Sequence, residues 1–423
     1  MVRGPSLDVS VPVLLFQVSR YSFLYGSLGA IRSLGRVGVP THAMITSGLA
    51  PHQFSRYLDR SFPVDLDQDN ALEQLERIAR QLGRPAILMP TDDAAAVYAA
   101  RHAQEIKPFF ILPSVAPELP QALANKRDLY EMCTAHNVPA PWTAFAGSIG
   151  ETLALAANAS FPIVIKNSEP FSCLSRPSVT STTIIRTHAE LLRLIEQWTG
   201  QPQIVVQEYV PRDVAEDWIV HIYCGREGIP LAAFTGRKHR SWPPEAGVTT
   251  AATALPNEEL LALATGFCRD VGYRGIADMD WRFDRRDGRY KLVDFNPRLG
   301  ANFRLFVTEN DIDVVRAQHL DLTGRPVSAS PQVFGRRFTV ENLDLASRLL
   351  QFSGPLREPE ELGKVMEFAW FAIDDPVPFL VMLLRFGALV LSRAIQTIVA
   401  RVKTLVSSVL NRPWRARESH TDV

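Results

Sequence analysis

Arg289-Tyr290-Lys291-Leu292-Val293-Asp294-Phe295-Asn296-Pro297-Arg298 decides how the rest of the chain is read. Tyr290 to Phe295 alternates and is rich in β-formers, so it reads as a strand, which Pro297 and Gly300 then stop. Asp294 and Asn296 are two apart, so their side chains leave the same face. Asp280 lies in an earlier apolar run, Gly275 to Phe283, and Arg285-Arg286-Asp287-Gly288 supplies a hairpin turn between the two. Two carboxylates and an amide carbonyl from adjacent strands make a hard-oxygen set, which suits Mg²⁺ shared with phosphate groups. Arg298 stands just beyond, placed to hold an anion. Taken alone, the same residues are polar groups at the open end of a hairpin, and both readings stand at this point.

Composition sets the bounds. With 423 residues, 46% hydrophobic and 21% charged, the chain is globular and large enough for two or three subdomains. Its formal net charge is zero, so no basic field invites nucleic acid. Cys133, Cys173, Cys224 and Cys268 are scattered without a CxxC pair, which argues for a reducing compartment and against structural zinc. The apolar stretch Val11 to Phe16 is too short for a secretory segment and meets Arg20 soon after, so a cytoplasmic protein is expected.

Strands at Val11–Val18, Thr41–Thr46, 85–90 and 108–112 alternate with helices at 28–36, Ala71–Leu82 and 94–102. That alternation predicts a doubly wound α/β unit with a parallel sheet up to about residue 120. Gly26-Ser27-Leu28-Gly29 lacks the third glycine of a dinucleotide fingerprint, and the second strand ends without an acid.

Further on, Asn125-Lys126-Arg127-Asp128 opens a helix running to His136, and Phe161 to Lys166 is an apolar strand ending on a charge. Either lysine is by default a solvated cation. Ile204 to Pro211 is a strand that breaks at a proline, which leaves backbone groups of Glu208 and Val210 free beside Gln207. Asp217 opens another strand, where a capping role is the plain alternative. Arg237, Lys238, His239 and Arg240 then form a basic run that would ordinarily be a solvated turn.

Met279-Asp280 together with Val293-Asp294-Phe295-Asn296-Pro297-Arg298 resembles the metal-binding signature of the ATP-grasp superfamily, and in particular its carboxylate–amine ligases. The "NK-R-DLY" and "QEYVP" stretches strengthen the resemblance, which spans roughly residues 10–330. It implies an α/β chain with a pre-ATP-grasp domain (1–120), a two-part α+β ATP-grasp domain (121–330), an extension (331–376) and a C-terminal helix and tail (377–423). It implies ATP and Mg²⁺, with Asp280, Asp294 and Asn296 as metal ligands and Lys126 and Lys166 on the phosphates. Gln207, the Glu208 carbonyl and the Val210 N–H would receive adenine, and Asp217 the ribose. Lys238, Arg240 and Arg298 would handle the substrate carboxylate, the phosphoryl group and the oxyanion.

The implied reaction activates a small carboxylate as an acyl phosphate, which an amine then attacks. A carboxylating enzyme is the alternative, disfavoured because Asn302 stands where biotin carboxylases carry a glutamate base. A non-catalytic nucleotide-binding protein at a membrane is the third reading, against which the intact lysines and acids weigh. The loop from Asn167 to Thr183 departs from the family: it has no glycine and offers serines, threonines and Arg176 instead.

From Pro378 the chain is apolar, with a narrow polar stripe and seven basic residues (Arg385, Arg393, Arg401, Lys403, Arg412, Arg415, Arg417) before the next acid. An amphipathic helix in the headgroup layer of an anionic membrane is expected over residues 378–417, with packing on the enzyme body as its rival.

Overall fold

Five short strands near the amino terminus pair in parallel, because apolar runs flanked by helices can bury both faces of a sheet. β1 (Val13–Phe16), β2 (Thr41–Ile45), β3 (Arg60–Pro63), β4 (Ala86–Pro90) and β5 (Phe110–Ile111) follow the order β3-β2-β1-β4-β5. The order reverses between β1 and β4, so the loops leaving those two strands part and open a crevice. Leu75 and Ile78 of the helix Ala71–Leu82, whose bounds are those expected, close one face. The helix expected from Leu28 begins earlier, spanning Tyr25–Gly35, and covers the other face. Gly26 is needed there: a Cβ would lie 2.9 Å from the Ala301 Cα. Its role is close packing, in keeping with the missing dinucleotide fingerprint.

The computed structural model describes residues 6–46, 48–65, 70–168, 178–179, 182–198, 200–243, 247–350 and 365–410, apart from the side chains of 349–350, 394–395 and 397–410. Much of the glycine-free loop and the arginines beyond residue 410 lie outside these residues.

A second sheet of four antiparallel strands contains β6 (Thr143–Ala146), β7 (Ile163–Asn167), β8 (Thr183–Ile185) and β9 (Ile204–Glu208), ordered β6-β9-β7-β8. The third holds β10 (Ala215–Cys224), β11 (Pro230–Trp242), β12 (Val248–Ala254), β13 (Gly275–Asp284), β14 (Arg289–Asn296), β15 (Arg337–Thr339) and β16 (Met366–Phe368), ordered β14-β13-β10-β11-β12-β15-β16. The basic run expected as a turn lies inside β11, whose sheet pairing overrides its solvated composition. One core joins the Tyr25–Gly35 helix, the helix Val314–Leu322 and Ile219, Phe234 and Phe306, which fixes the first sheet against the third.

A helix spans Val377–Leu410. Met382 is fully buried, and Phe379 and Phe386 pack on the same core. Arg385 donates to the carbonyls of Gly48 and Leu49 and lies over the Phe23 ring. It therefore anchors the helix to the body and does not belong to a lipid-facing stripe.

Candidate active site

The cleft between the second and third sheets gathers the residues that the sequence scatters. Val164, Lys166 and Gln207 to Val210 line one wall, and Asp217, Lys238, Asp280 and Asp294 the other. On the hairpin, Asp280 stands directly opposite Asp294, while the next pair is Trp281 with Leu292. Val293 is thus an extra residue, a bulge of the kind that re-aims side chains beside functional sites. It leaves the two carboxylates on the cleft face and Trp281 and Leu292 in the core beneath. Asn296 donates its amide N–H to the Asp278 carbonyl at 3.1 Å, which fixes the orientation of its side chain.

The lysines come from other elements. Asn125 caps the helix Lys126–Ala135 by accepting from the N–H groups of Arg127 (2.8 Å) and Asp128 (3.2 Å), so Lys126 is its first residue. Lys126 pairs with Asp294. Lys166 shares a face of β7 with Val164, since Ile163 and Ile165 occupy the core side, and its Nζ lies 3.9 Å from Asp294. Lys238 holds Asp280 at 2.6 Å. Burial pushes Lys126 down to about 8, and burial with the nearby Lys126 charge pushes Lys166 to about 7. For Lys238, Asp280 and Asp217 outweigh burial and hold it above its ordinary value. Desolvated ammonium groups grouped this way favour a polyanion that would restore their charge.

At the far end, β9 stops at Glu208, and Val210 precedes Pro211. The Glu208 carboxylate takes Arg286 at 2.5 Å and faces Lys291 at 3.5 Å, so the hairpin turn ties the hinge to the carboxylate strands. Gln207 donates to Thr143 at 3.0 Å, and the Val210 carbonyl accepts from Arg282 at 3.0 Å. Asp217 accepts from Arg282 at 2.7 Å; burial would raise it, but Arg282, Lys238 and Arg212 hold it below the usual carboxylate range.

Arg240 requires a correction. It does not reach the cleft: its guanidinium makes a buried, bidentate pair with Asp344 at 2.6 and 3.0 Å. Lys238 pairs with Ala252 but Arg240 with Ala251, so a bulge at His239 turns the two cations to opposite faces. Arg237 faces Glu216 at 3.4 Å.

Arg298 is where sequence reasoning saw least. It bonds Asp278 at 3.1 Å and lies 3.4 Å from Asp93, while His221 Nε2 meets both Asn302 (3.0 Å) and Asp278 (3.1 Å). Asp278 was findable, since it lies two residues before Asp280 on the same face. Asp93, first residue of the helix Asp93–Arg101, and His221, on β10, come from distant parts of the chain and carried no such signal.

No family model matches the chain. The N5-carboxyaminoimidazole synthetase of Staphylococcus aureus complexed with ADP superposes with a TM-score of 0.59 at 10% identity, over 79% of this chain and 82% of that one. The L-amino acid ligase of Bacillus licheniformis superposes with a TM-score of 0.55 at 15% identity, over 73% of each chain. D-aspartate ligase of Enterococcus faecium is 25% identical over 304 residues, 68% of this chain and 72% of that protein. The chain has the fold of these ATP-dependent enzymes and is similar in sequence to D-aspartate ligase. In this fold two sheets face one cleft, with Asp280, Asp294, Lys166, Lys238 and residues Gln207 to Val210 on its walls.

Proposed function

We propose that this protein is an ATP-dependent carboxylate–amine ligase of the ATP-grasp superfamily, working through an acyl phosphate. The observation that carries the reading is the opposed pair Asp280 and Asp294, engaged by Lys126, Lys166 and Lys238 in a cleft that ends in a strand-break hinge. The likeness to D-aspartate ligase and L-amino acid ligase supports an amide-forming reaction, with a small carboxylate and a small amine as substrates. The same reading divides the chain near residues 120, 330 and 376.

Among the described residues no three His, Cys, Asp or Glu side chains cluster as a metal cage. Two carboxylates with the Asn296 amide suit Mg²⁺, which keeps waters and phosphate oxygens in its shell. The ion would supply charge neutralisation of the phosphates. Lys126 and Lys166 hold the phosphates, Gln207, Glu208 and Val210 the adenine, and Asp217 the ribose. Lys238 and Arg298 orient the acid and absorb oxyanion charge. Asn302, a neutral amide bonded to His221, offers no base for carboxylation. An ADP-release screen over amino acids and other small acids and amines, with mass spectrometry of products, tests the reading. ADP released only when both an acid and an amine are present supports it; ADP released with bicarbonate alone favours carboxylation.

We also propose a peripheral contact between the C-terminal helix and anionic membrane. Leu380, Leu383, Leu384 and Leu391 share one face and remain 54, 46, 75 and 62% exposed, opposite the face of Phe379, Met382 and Phe386 that packs on the body. No helix of the described residues is long and apolar enough to cross a membrane. The one-signed charge from Arg393 to Arg417 matches an anionic surface. Full-length protein should pellet with anionic liposomes and a chain ending at Asp375 should not; equal behaviour of the two contradicts the contact.

A further inference from the structure

The reaction proposed above needs a step for which the cleft itself has no group to spare. An amine reaches the enzyme at neutral pH mainly as an ammonium ion, because its pKa lies about one unit (an α-amino group) to three units (a lysine-type amine) higher. Only the neutral form attacks an acyl phosphate, so a base must take a proton. Asp280 and Asp294 are held by lysines, and Asp278 is bonded to both His221 and Arg298.

A second cavity is lined by Arg298, which bonds Asp278 two residues from Asp280 on β13. It lies where the first sheet reverses its strand order, between the loop leaving β1 and the loop leaving β4. Such reversals are the usual ligand crevices of parallel sheets. Tyr21, Phe23 and Tyr25 line one side, Thr91 and Asp93 another, and Arg298 closes the inner end. Asp92 and Asp93 are adjacent but differently employed. Asp92 accepts from the N–H groups of Val18 (3.0 Å), Ser19 (2.8 Å) and Ala95 (2.8 Å), so it builds the crevice wall. Asp93 is less engaged: its Oδ1 is buried without a hydrogen-bond partner among the described residues and has an ion pair with Arg298 Nε at 3.4 Å. The side chain keeps 28% of its area open to the cavity.

We propose that this crevice is the amine-substrate site and that Asp93 binds the incoming ammonium group and takes its proton. The assignment rests on the ligase reading and deepens it. The step balances: one N–H proton passes to the Asp93 carboxylate, and the freed nitrogen lone pair attacks the acyl phosphate carbonyl. The C–N bond forms, the C–O bond to phosphorus breaks, and the second proton leaves with inorganic phosphate. Burial raises Asp93 towards the range a base needs, against the opposing pull of Arg298 and Lys126, and the Asp92 and Asp278 charges add to the rise. Arg298 stands between the carboxylate strand and the crevice, since its guanidinium touches Asp278 on β13 and Asp93 in the crevice. Tyr21, 55% exposed, and Phe23 at the rim offer ring faces to a cation or to its apolar stem.

The test uses two nucleophiles that differ in their need for a base. Hydroxylamine is neutral at pH 7.5; Nα-acetyl-L-lysine and the standard L-amino acids are not. Full-length wild-type protein and the Asp93→Asn and Asp93→Glu variants receive ATP, Mg²⁺ and each of a panel of acids, D-aspartate included, with each nucleophile in turn. Asp93→Asn should lose amide formation by about a hundred-fold or more, while hydroxamate formation falls far less. Its residual amide rate should climb with pH towards the amine's own pKa, and Asp93→Glu should recover part of the loss. Equal loss with both nucleophiles makes Asp93 a support for Arg298 and overturns the proposal, as does no loss with either. Hydroxamate from wild type without any amide also overturns it, because an amine site should serve amines. Wild-type protein that forms neither product with any acid refutes the ligase reading itself, a separate outcome.

Discussion

The hairpin β13–β14 and the strand β11 each carry charged residues two apart or directly paired, and each contains a bulge, with opposite consequences. On the hairpin, the extra residue Val293 lets Asp280 and Asp294 face each other across the cleft. On β11, the extra residue His239 divides Lys238 from Arg240, sending one cation to Asp280 and the other to the buried Asp344. Spacing of two therefore predicts a shared face only where the pairing register is unbroken. A bulge cannot be read from composition, which is why the same rule succeeds on one element and fails on the other.

That contrast can be broken by substitution. The largest effect is expected at the hairpin: Asp294→Asn should lower ATP turnover by about three orders of magnitude or more, since it removes the anion on which Lys126 and Lys166 converge. Its thermal unfolding should stay near wild type, and full activity in the variant would remove the hairpin from the site. Arg240→Leu should act on stability instead. It removes the bidentate partner of Asp344, which keeps Arg348 at 2.7 Å and Thr250 at 3.2 Å, so the cost should be about 1–3 kcal/mol in denaturant unfolding. Asp344→Leu added to it should recover much of that loss. Lys238→Met should behave in the reverse way, impairing turnover with little change in the unfolding midpoint. If Arg240→Leu were inactive yet fully stable, the bulge would not separate the two roles. The smallest effect concerns the lysines: Lys126→Met and Lys166→Met keep the stem and remove the charge. Each should weaken ATP binding by about 1–3 kcal/mol in calorimetry, and unchanged affinity in both would remove them from the phosphates.

How much the sequence reveals follows the same division. Periodicity exposed Asp280, Asp294 and Lys166, because an apolar strand with one polar face leaves few alternatives. The cap residue Asn125 located Lys126. The parallel amino-terminal sheet was legible from alternating strands and helices, although the helix at Tyr25 began before its apolar pattern did. What stayed hidden depends on long-range pairing. Asp344 lies 104 positions from Arg240, and Asp93 meets Arg298 only because the first sheet docks on the third. The C-terminal helix shows the limit from another side. Its apolar pattern was plain, but the assignment of Met382, Phe379 and Phe386 to the body, with Leu384 left outside, needed the packing itself.

The central claim is that the two opposed carboxylates hold Mg²⁺ together with the phosphates of ATP. Its most direct test is calorimetric titration of ATP into wild type and Asp294→Asn, each with and without Mg²⁺. Wild type should bind ATP markedly more tightly when Mg²⁺ is present, and the variant should lose most of that enhancement while unfolding like wild type. An equal Mg²⁺ dependence in the two proteins, or none in wild type, would contradict the account.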